Sequence, residues 1–221
     1  MATFITERNI FQSLVELSTE QRQLLELLLK KQGEDLAQFA IPKRMGSELI
    51  PLSYSQERIW TIAQLSPDTF VDNVPVAFHI SGNLNLQVFE KSVHLLIERN
   101  EIFRTTCTVR DRQLVQTVMT TFKPWVEIID LSHFSQEERL ERATSQAEAI
   151  ARQPFDLSQD VLFRAIVFCL GEQEFLVLLV THQFATDGLS FRFLLQELAT
   201  LYKAILVGDR SSLLEPNIQY P

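Results

Sequence analysis

The sequence predicts an α/β protein in which helices pack on a mixed β-sheet as a two-layer sandwich, preceded by a helical N-terminal segment. Two observations lead to this prediction. Helix-start signatures alternate along residues 51–207 with short runs of β-branched and aromatic residues. Two of these runs, 161–170 and 174–182, are apolar almost throughout, which is typical of central strands covered on both faces. Alternating elements of this kind favour an α/β sandwich over an all-helical or all-β fold.

The first fifty residues differ from the rest. Apolar residues between positions 10 and 15 share one helical face, and Ser18 with Gln21 has the capping-box pattern of a second helix. The remainder of this segment is punctuated by glycine and proline without periodicity, which indicates an extended connector. We therefore expect a helical segment with its connector over residues 1–50 and a folded lobe over residues 51–221.

Within the lobe, three helices are recognised by their first residues. Ser53 with Gln56 and Ser135 with Glu138 are capping boxes. Asn85 is an N-cap residue ahead of a stretch whose apolar residues share a face. A further helix follows the strand 174–182 and is ended by a glycine near residue 208.

Strands are predicted where β-branched and aromatic residues are bounded by turn residues. The polar turn at residues 110–112 lies between two such runs and indicates a hairpin. The predicted strands are, in order, 74–81, 103–109, 113–119, 125–129, 161–170 and 174–182.

Composition excludes several classes of function. The 221 residues carry 20 Lys+Arg and 28 Asp+Glu, a net charge of −8, and no basic run exceeds two residues. This balance argues against a nucleic-acid partner. The longest apolar stretches are far shorter than the ~20 residues that span a bilayer, so no membrane partner is expected. The two glycine-rich patterns of phosphate-binding loops, GxGxxG and GxxxxGK[ST], are both absent from the sequence. Cys107 and Cys169 lie in apolar or β-branched stretches without metal spacing, so we expect reduced, buried thiols in a cytoplasmic protein.

One segment combines side chains that can do chemistry. Residues 181–188 read Thr-His-Gln-Phe-Ala-Thr-Asp-Gly and lie between the last buried strand and the last helix. A helix N-terminus offers free N–H groups and a partial positive charge that stabilise a developing oxyanion. A single histidine at a strand end also has a structural interpretation, and so do an N-capping Asp187 and a turn glycine, Gly188.

Three separated segments together resemble the condensation domains of nonribosomal peptide synthetases. Residues 52–60, LSYSQERIW, are similar to the motif S-x-A-Q-x-R-[LM]-W, with Ser53, Gln56, Arg58 and Trp60 matching and Ser55 in place of alanine. Residues 99–107, RNEIFRTTC, are similar to R-H-E-x-L-R-T-x-F, with departures at positions 100, 103 and 107. Residues 182–188, HQFATDG, are similar to H-H-x-x-x-D-G. The order of the three segments along the chain and their approximate spacing also agree with those of condensation domains.

This resemblance implies a chloramphenicol acetyltransferase-like half-domain, the N-terminal lobe of a V-shaped domain whose C-terminal lobe is absent from the chain. The complete domain would form an amide bond between acyl or peptidyl and aminoacyl thioesters. Both would be carried on phosphopantetheine arms, so no cofactor is expected to bind directly and no metal is expected. The implied partners are the C-terminal lobe and peptidyl carrier protein domains. A lobe cut from its partner exposes apolar surface, which favours self-association.

Gln183 is the departure with a chemical consequence. The resemblance places the second residue of the motif beside the reacting atoms, where the family has histidine. A neutral imidazole accepts a proton near neutral pH, whereas a carboxamide is no base. Because strand neighbours point to opposite faces, we expect His182 to point away from the site if the strand continues through Gln183. We therefore expect little or no activity of the isolated lobe, and we assign His182, Gln183 and Gly188 to the catalytic site.

The resemblance assigns Asp187 a structural role in an ion pair, and Arg104 is the partner that we predict. Gly188 would let the backbone approach the substrate, or would be a plain turn residue.

Two function classes remain open at this point. The first is a condensation domain, whose L-donor, L-acceptor subtype the N-terminal helix and first motif favour. The second is a non-catalytic platform that recruits a carrier protein or a tailoring enzyme, which Gln183 favours. An epimerization domain is disfavoured because it needs the missing histidine. A heterocyclization domain is excluded because it would show two aspartates in the motif.

Overall fold

The computed structural model describes residues 18–31, 49–209 and 219–220. The described residues from Leu49 to Asp209 belong to one compact unit, and the N-terminal helix belongs to another. The predicted helix at residues 10–15, most of the connector and most of the polar tail lie outside the described residues.

Helix α1, Thr19–Lys31, begins where the capping pattern predicts. The Gln21 backbone N–H donates to Ser18 Oγ at 3.3 Å, and the Ser18 backbone N–H donates to Gln21 Oε1 at 2.9 Å. This reciprocal pair satisfies two of the backbone donors that a helix start leaves open.

The lobe alternates helices with strands, and its α/β class is confirmed. The elements are β1 Ile50–Pro51, α2 Tyr54–Leu65, β2 Asn73–Ser81, α3 Leu86–Arg99, a 3₁₀ turn Glu101–Arg104, β3 Thr105–Arg110, β4 Gln113–Val118, β5 Trp125–Asp130, α4 Gln136–Ala151, β6 Phe163–Gly171, β7 Glu174–His182 and α5 Ser190–Val207. In the described part of the chain, no helix is both long and apolar enough to cross a membrane.

Four strands form a mixed sheet in the order β2–β7–β6–β5. Strand β7 is antiparallel to both β2 and β6, while β5 is parallel to β6. Two neighbouring parallel strands need a crossover connection, and α4 provides it between β5 and β6. Seven of the nine residues of β7 and seven of the nine of β6 are buried, as expected for the two central strands.

The predicted hairpin belongs to a second sheet. Strands β3 and β4 pair with each other, and β4 pairs with the two-residue strand β1, all antiparallel. The prediction of one sheet was therefore incomplete, because sequence pattern identifies a strand but not the edge with which it pairs. Asp111 and Arg112 at the turn both have positive φ, 51° and 65°, which is the geometry of a tight hairpin whose twist matches its strands.

The first strand of the hairpin begins later than predicted. Phe103 lies in the 3₁₀ turn and is buried, and the Thr105 hydroxyl donates to the carbonyl of Glu101 at 2.7 Å. This local hydrogen bond favours a turn over an extended backbone, so the strand begins at Thr105.

Two buried glutamines join α2 to the second sheet. Gln56 is 2% exposed and Gln116 is 6% exposed. Gln56 Nε2 donates to Gln116 Oε1 at 3.2 Å, and Gln116 Nε2 donates to the carbonyl of Pro51 at 2.9 Å. Gln56 Oε1 also accepts the N–H of Ser53 at 2.9 Å. Gln56, the glutamine of the first motif, therefore has two structural roles: it completes the capping box of α2 and it joins α2 to the second sheet.

We expect Gln116→Leu to lower the free energy of unfolding by about 2 kcal/mol, because it leaves Nε2 of the buried Gln56 without its acceptor and removes the donor to the carbonyl of Pro51. Urea titration monitored by circular dichroism measures this loss. Gln113→Leu, at an exposed position of the same strand, is the matched control and should change stability by less than about 0.5 kcal/mol. Equal losses in the two variants would contradict the structural role.

Candidate active site

The segment singled out in the sequence lies where β7 ends. His182 is the last residue of β7, residues 183–185 form a turn, and α5 begins at Ser190. The pairing of β7 with β2 places Asn73 opposite His182. The segment is thus the end of a central strand that continues into a long helix.

His182 points into the core. It is 4% exposed, its Nδ1 accepts the backbone N–H of Phe184 at 3.1 Å, and its ring meets the edge of Phe155 at 5.7 Å between centroids. An Nδ1 that accepts an N–H carries no proton itself. Burial lowers the pKa of His182 from 6.5 to about 4; the cation of Arg164 adds to this shift and Asp72 opposes it. His182 is therefore neutral at physiological pH.

A second layer of side chains supports His182. The guanidinium of Arg164 lies 3.6 Å above the Phe155 ring and 4.9 Å from the Trp125 ring. It donates to the carbonyls of Gln153 and Pro154, both at 2.7 Å. These contacts hold the loop that carries Phe155 against the imidazole. Sequence pattern did not reveal this layer, because its residues lie apart along the chain and only the sheet brings them together.

Gln183 points the other way. Its side chain is exposed, and its backbone N–H donates to the carbonyl of Asp72 at 2.8 Å. Within the described residues the Gln183 carboxamide makes no hydrogen bond. The condition that the strand continues through Gln183 is not met, because β7 ends at His182; the imidazole is buried, and the carboxamide is exposed because the chain enters a turn there. The carboxamide is free to meet a ligand.

Asp187 and Arg104 do not form the predicted ion pair, and this expectation was wrong. Asp187 is exposed, and its Oδ1 accepts the N–H of Leu189 at 3.1 Å, the N–H of Ser190 at 2.7 Å and the Ser190 hydroxyl at 2.5 Å. These hydrogen bonds, those from Ser190 foremost, lower the pKa of Asp187. The predicted pairing assumed that the Asp187 carboxylate is buried and therefore needs a cation. An exposed carboxylate that caps a helix needs none.

Arg104 has a different structural role. It donates to the carbonyl of Met119 at 2.7 Å and to that of Glu98 at 3.2 Å, and it lies 3.8 Å from the carboxylate of Glu101. These contacts fasten the 3₁₀ turn between the end of α3 and the end of β4. Arg104 remains a structural residue, but of the hairpin and not of the site.

Gly188 has open surroundings. It has no positive φ, and no described atom lies within 4 Å of the position that a Cβ would occupy. Its predicted role in substrate approach therefore stays a prediction. No group of His, Cys, Asp or Glu side chains in the described ranges is arranged to hold a metal ion.

A separate cleft of about 590 Å³ opens between α2, β3 and the loop 154–160. Phe155 lines it, but no residue of the 182–188 segment does. Trp60 also lines it, and the Nε1 of this half-buried residue has no partner among the described residues. The cleft therefore lies beside the layer that supports His182 and does not include Gln183.

The contacts of Arg104 generate a stability prediction. Arg104→Ala should lower the free energy of unfolding by about 1–3 kcal/mol, because two backbone carbonyls lose a charged donor. Arg110→Ala, at an exposed position of the same hairpin, should have little effect. Denaturant titration of a double-mutant cycle with Asp187→Asn should give a coupling free energy near zero. A marked coupling free energy between positions 104 and 187 would show that the two side chains interact, and would contradict the separate roles given to them here.

The burial of His182 predicts a pH dependence of stability. Its folded pKa lies below its unfolded value, so the unfolded state binds a proton first and stability falls as pH falls from about 6.5 towards 4. Linkage gives a loss of about 2 kcal/mol between pH 7 and pH 5. His182→Asn, which keeps an acceptor for Phe184 but does not titrate, should flatten this slope in urea titrations. His79→Asn, at an exposed position, should leave it unchanged; a slope that survives His182→Asn would contradict the assignment.

Comparison with known proteins places this geometry in a family. A family model described as "Condensation domain" matches residues 47–220. The chain is 37% identical over 196 residues to one of the subunits of the linear gramicidin synthase of Brevibacillus parabrevis, covering 89% of the chain and 4% of that protein. It is 31% identical over 189 residues to a dimodular nonribosomal peptide synthase of Bacillus subtilis, covering 84% of the chain and 8% of that protein. The chain thus spans only a small fraction of the length of these relatives.

Solved structures agree in fold. The starter condensation domain of the rhizomide synthetase RzmA superposes with a TM-score of 0.70 at 24% identity, covering 76% of this chain and 40% of that one. The first condensation domain of the calcium-dependent antibiotic synthetase superposes with a TM-score of 0.67 at 22% identity, covering 77% and 40%. The motifs, the fold and the family model agree, and the chain belongs to the condensation domain family of nonribosomal peptide synthetases.

Proposed function

We propose that the complete condensation domain containing this chain joins an acyl or peptidyl thioester to an aminoacyl thioester, both carried on phosphopantetheine arms of carrier protein domains. The amine nitrogen attacks the thioester carbonyl carbon, the C–N bond forms, the C–S bond breaks and the thiol leaves with a proton. The exposed Gln183 at the end of β7 carries the proposal, because it stands where the family motif has its second histidine.

In this reaction Gln183 orients and does not transfer protons. Its carboxamide oxygen accepts a hydrogen bond from the attacking amine, or its NH₂ group donates one to the tetrahedral oxyanion. Losing general acid–base help typically costs 10²–10⁴-fold in rate, while holding two tethered substrates together retains a large share of the acceleration. We therefore propose a slow domain that works by positioning.

His182 does not replace the missing base. It is buried, neutral and engaged through Nδ1 with Phe184, whereas Gln183 is exposed in the turn that follows. Bringing the imidazole to the surface would break its hydrogen bond with the Phe184 N–H and its contact with the Phe155 ring.

We propose that the C-terminal lobe covers the surface around Gln183 and that the N-terminal lobe alone is inactive. Three exposed apolar side chains support this view. Val71 precedes Asp72, whose carbonyl accepts the Gln183 N–H, and Leu189 and Phe193 follow the turn in the chain; they are 76%, 79% and 69% exposed. Apolar residues grouped around a polar site are typical of a surface that another protein element covers. The same surface favours self-association when the C-terminal lobe is missing.

The free thiols fit the proposed cytoplasmic location. Cys107 is buried, Cys169 is half-buried and neither forms a disulfide. Burial raises the pKa of Cys107 to about 12, so this thiol is inert towards oxidation at neutral pH.

A second candidate function is a non-catalytic platform that recruits a carrier protein or a tailoring enzyme. The observation that favours it is the carboxamide of Gln183, since binding requires no base. Titration of a carrier protein onto the complete domain, followed by calorimetry, measures binding without turnover.

The decisive experiment compares glutamine and histidine at position 183. In a complete condensation domain that contains this chain, we expect Gln183→His to raise the single-turnover rate of dipeptidyl transfer between loaded carrier proteins by about 10²-fold or more, because a base becomes available. Gln183→Ala should lower the rate below that of the glutamine-containing domain, because the orienting hydrogen bond is lost. Mass spectrometry of the product released from the carrier protein measures each rate.

Gln173→His is the matched control, since Gln173 is an exposed glutamine in the turn at the opposite end of β7. It should leave the rate unchanged. Absence of transfer with either residue at 183, together with retained carrier binding, would contradict catalysis and support recruitment. A rate with glutamine that Gln183→His does not exceed would contradict the role given to Gln183.

A further inference from the structure

The peptide unit that joins His182 to Gln183 is hydrogen-bonded at both ends. Its carbonyl, on His182, accepts the N–H of Ala185 at 2.8 Å and that of Thr186 at 3.0 Å. Its N–H, on Gln183, donates to the carbonyl of Asp72 at 2.8 Å. A peptide unit is planar, so fixing both ends fixes the N–Cα bond of Gln183, from whose Cα the side chain branches.

Two buried hydroxyls add to this arrangement from inside the lobe. Thr181 is 0% exposed and Thr186 is 6% exposed, and their Oγ1 atoms lie 2.7 Å apart. The Thr186 hydroxyl also donates to the carbonyl of His182 at 3.3 Å. One hydroxyl has a single proton, so both hydrogen bonds form at the same time when the Thr181 hydroxyl donates to Thr186 and Thr186 donates to the carbonyl.

These hydrogen bonds form a chain that ends on the peptide unit carrying Gln183. Hydrogen bonds in series polarise and strengthen one another in a buried environment. The carbonyl of His182 thereby receives three donors, one of which depends on both threonines. Neither threonine is exposed, so neither contacts a substrate directly.

We propose that Thr186, supported by Thr181, is a positioning residue for the side chain at position 183. The Thr186 hydroxyl ties the far end of the turn to the peptide unit, and without it the turn can relax and redirect that side chain. The catalytic consequence rests on the proposed function, since it requires Gln183 to face the reacting atoms. A displacement of about 1 Å at a reacting site can cost about 10²-fold in rate.

Thr186→Val tests the inference, because it removes the hydroxyl at nearly constant volume, and Thr186→Ser restores a hydroxyl. Thr200→Val is the matched control, since the hydroxyl of the exposed Thr200 donates to the carbonyl of Gln196 in its own helix, away from the turn. The first readout is amide hydrogen exchange of the 221-residue chain by NMR. Thr186→Val should speed exchange at positions 183, 185 and 186 by about tenfold, with the amides in the middle of β7 unchanged.

The second readout is the pre-steady-state and steady-state kinetics of the complete domain, with Gln183→His as background if the glutamine-containing domain is too slow. Thr186→Val should lower kcat about tenfold with KM changed less than about twofold, and Thr186→Ser should restore most of kcat. A merely structural role predicts instead a lowered melting temperature with kcat unchanged for the folded fraction.

Unchanged exchange in Thr186→Val would overturn the inference, and so would failure of the serine variant to restore exchange and rate, or an equal effect of Thr200→Val. The exchange measurement needs no turnover. A domain that transfers nothing with either residue at 183 therefore refutes the proposed function, while the exchange result decides separately whether Thr186 positions residue 183.

Discussion

The point at which a buried central strand leaves its sheet governs the arrangement of this site. Strand β7 is held by β2 on one side and β6 on the other, and its last six residues are buried. At its end, one peptide bond separates a side chain that must point into the core from one that must point out. His182 and Gln183 occupy these two places, and no change of side-chain rotamer exchanges them. The chemistry available at the surface therefore depends on which residue follows the last buried position of the strand.

The buried histidine keeps the exposed residue in place. His182 contributes its Nδ1 to one backbone N–H of the turn and its carbonyl to two others, while Phe155 contacts its ring and is itself covered by the Arg164 guanidinium. A neutral imidazole suits this role, because a protonated ring would lose the acceptor at Nδ1 and would face the Arg164 cation. The two neighbours in the motif thus differ in their surroundings: one is buried and neutral, and the other is exposed.

Much of this was predictable from local pattern. Capping boxes located α2 and α4, and the apolar runs located β6 and β7. The exposure of Gln183 comes from the turn that begins there and not from strand alternation. Long-range partners were not predictable, because Asp72 meets Gln183 only through the pairing of β2 with β7. The pairing of Asp187 with Arg104 was wrong because it assumed a buried carboxylate, whereas Asp187 caps α5 at the surface. Thr181 and Thr186 lay in the segment singled out, but their separation along the chain does not by itself predict a contact across a turn.

The side chain at position 183 contributes little to the stability of the fold, so stability does not explain why this residue is glutamine. Its side chain is exposed and makes no hydrogen bond within the described residues, and its backbone contacts are available to any residue that has an N–H. Exposed positions of this kind usually change stability by less than about 0.5 kcal/mol when substituted. Histidine would therefore fold here as well as glutamine does, so folding does not account for the carboxamide. The choice between the two side chains acts on what the turn presents to a ligand, which makes position 183 a site where chemistry can change while the lobe around it stays the same.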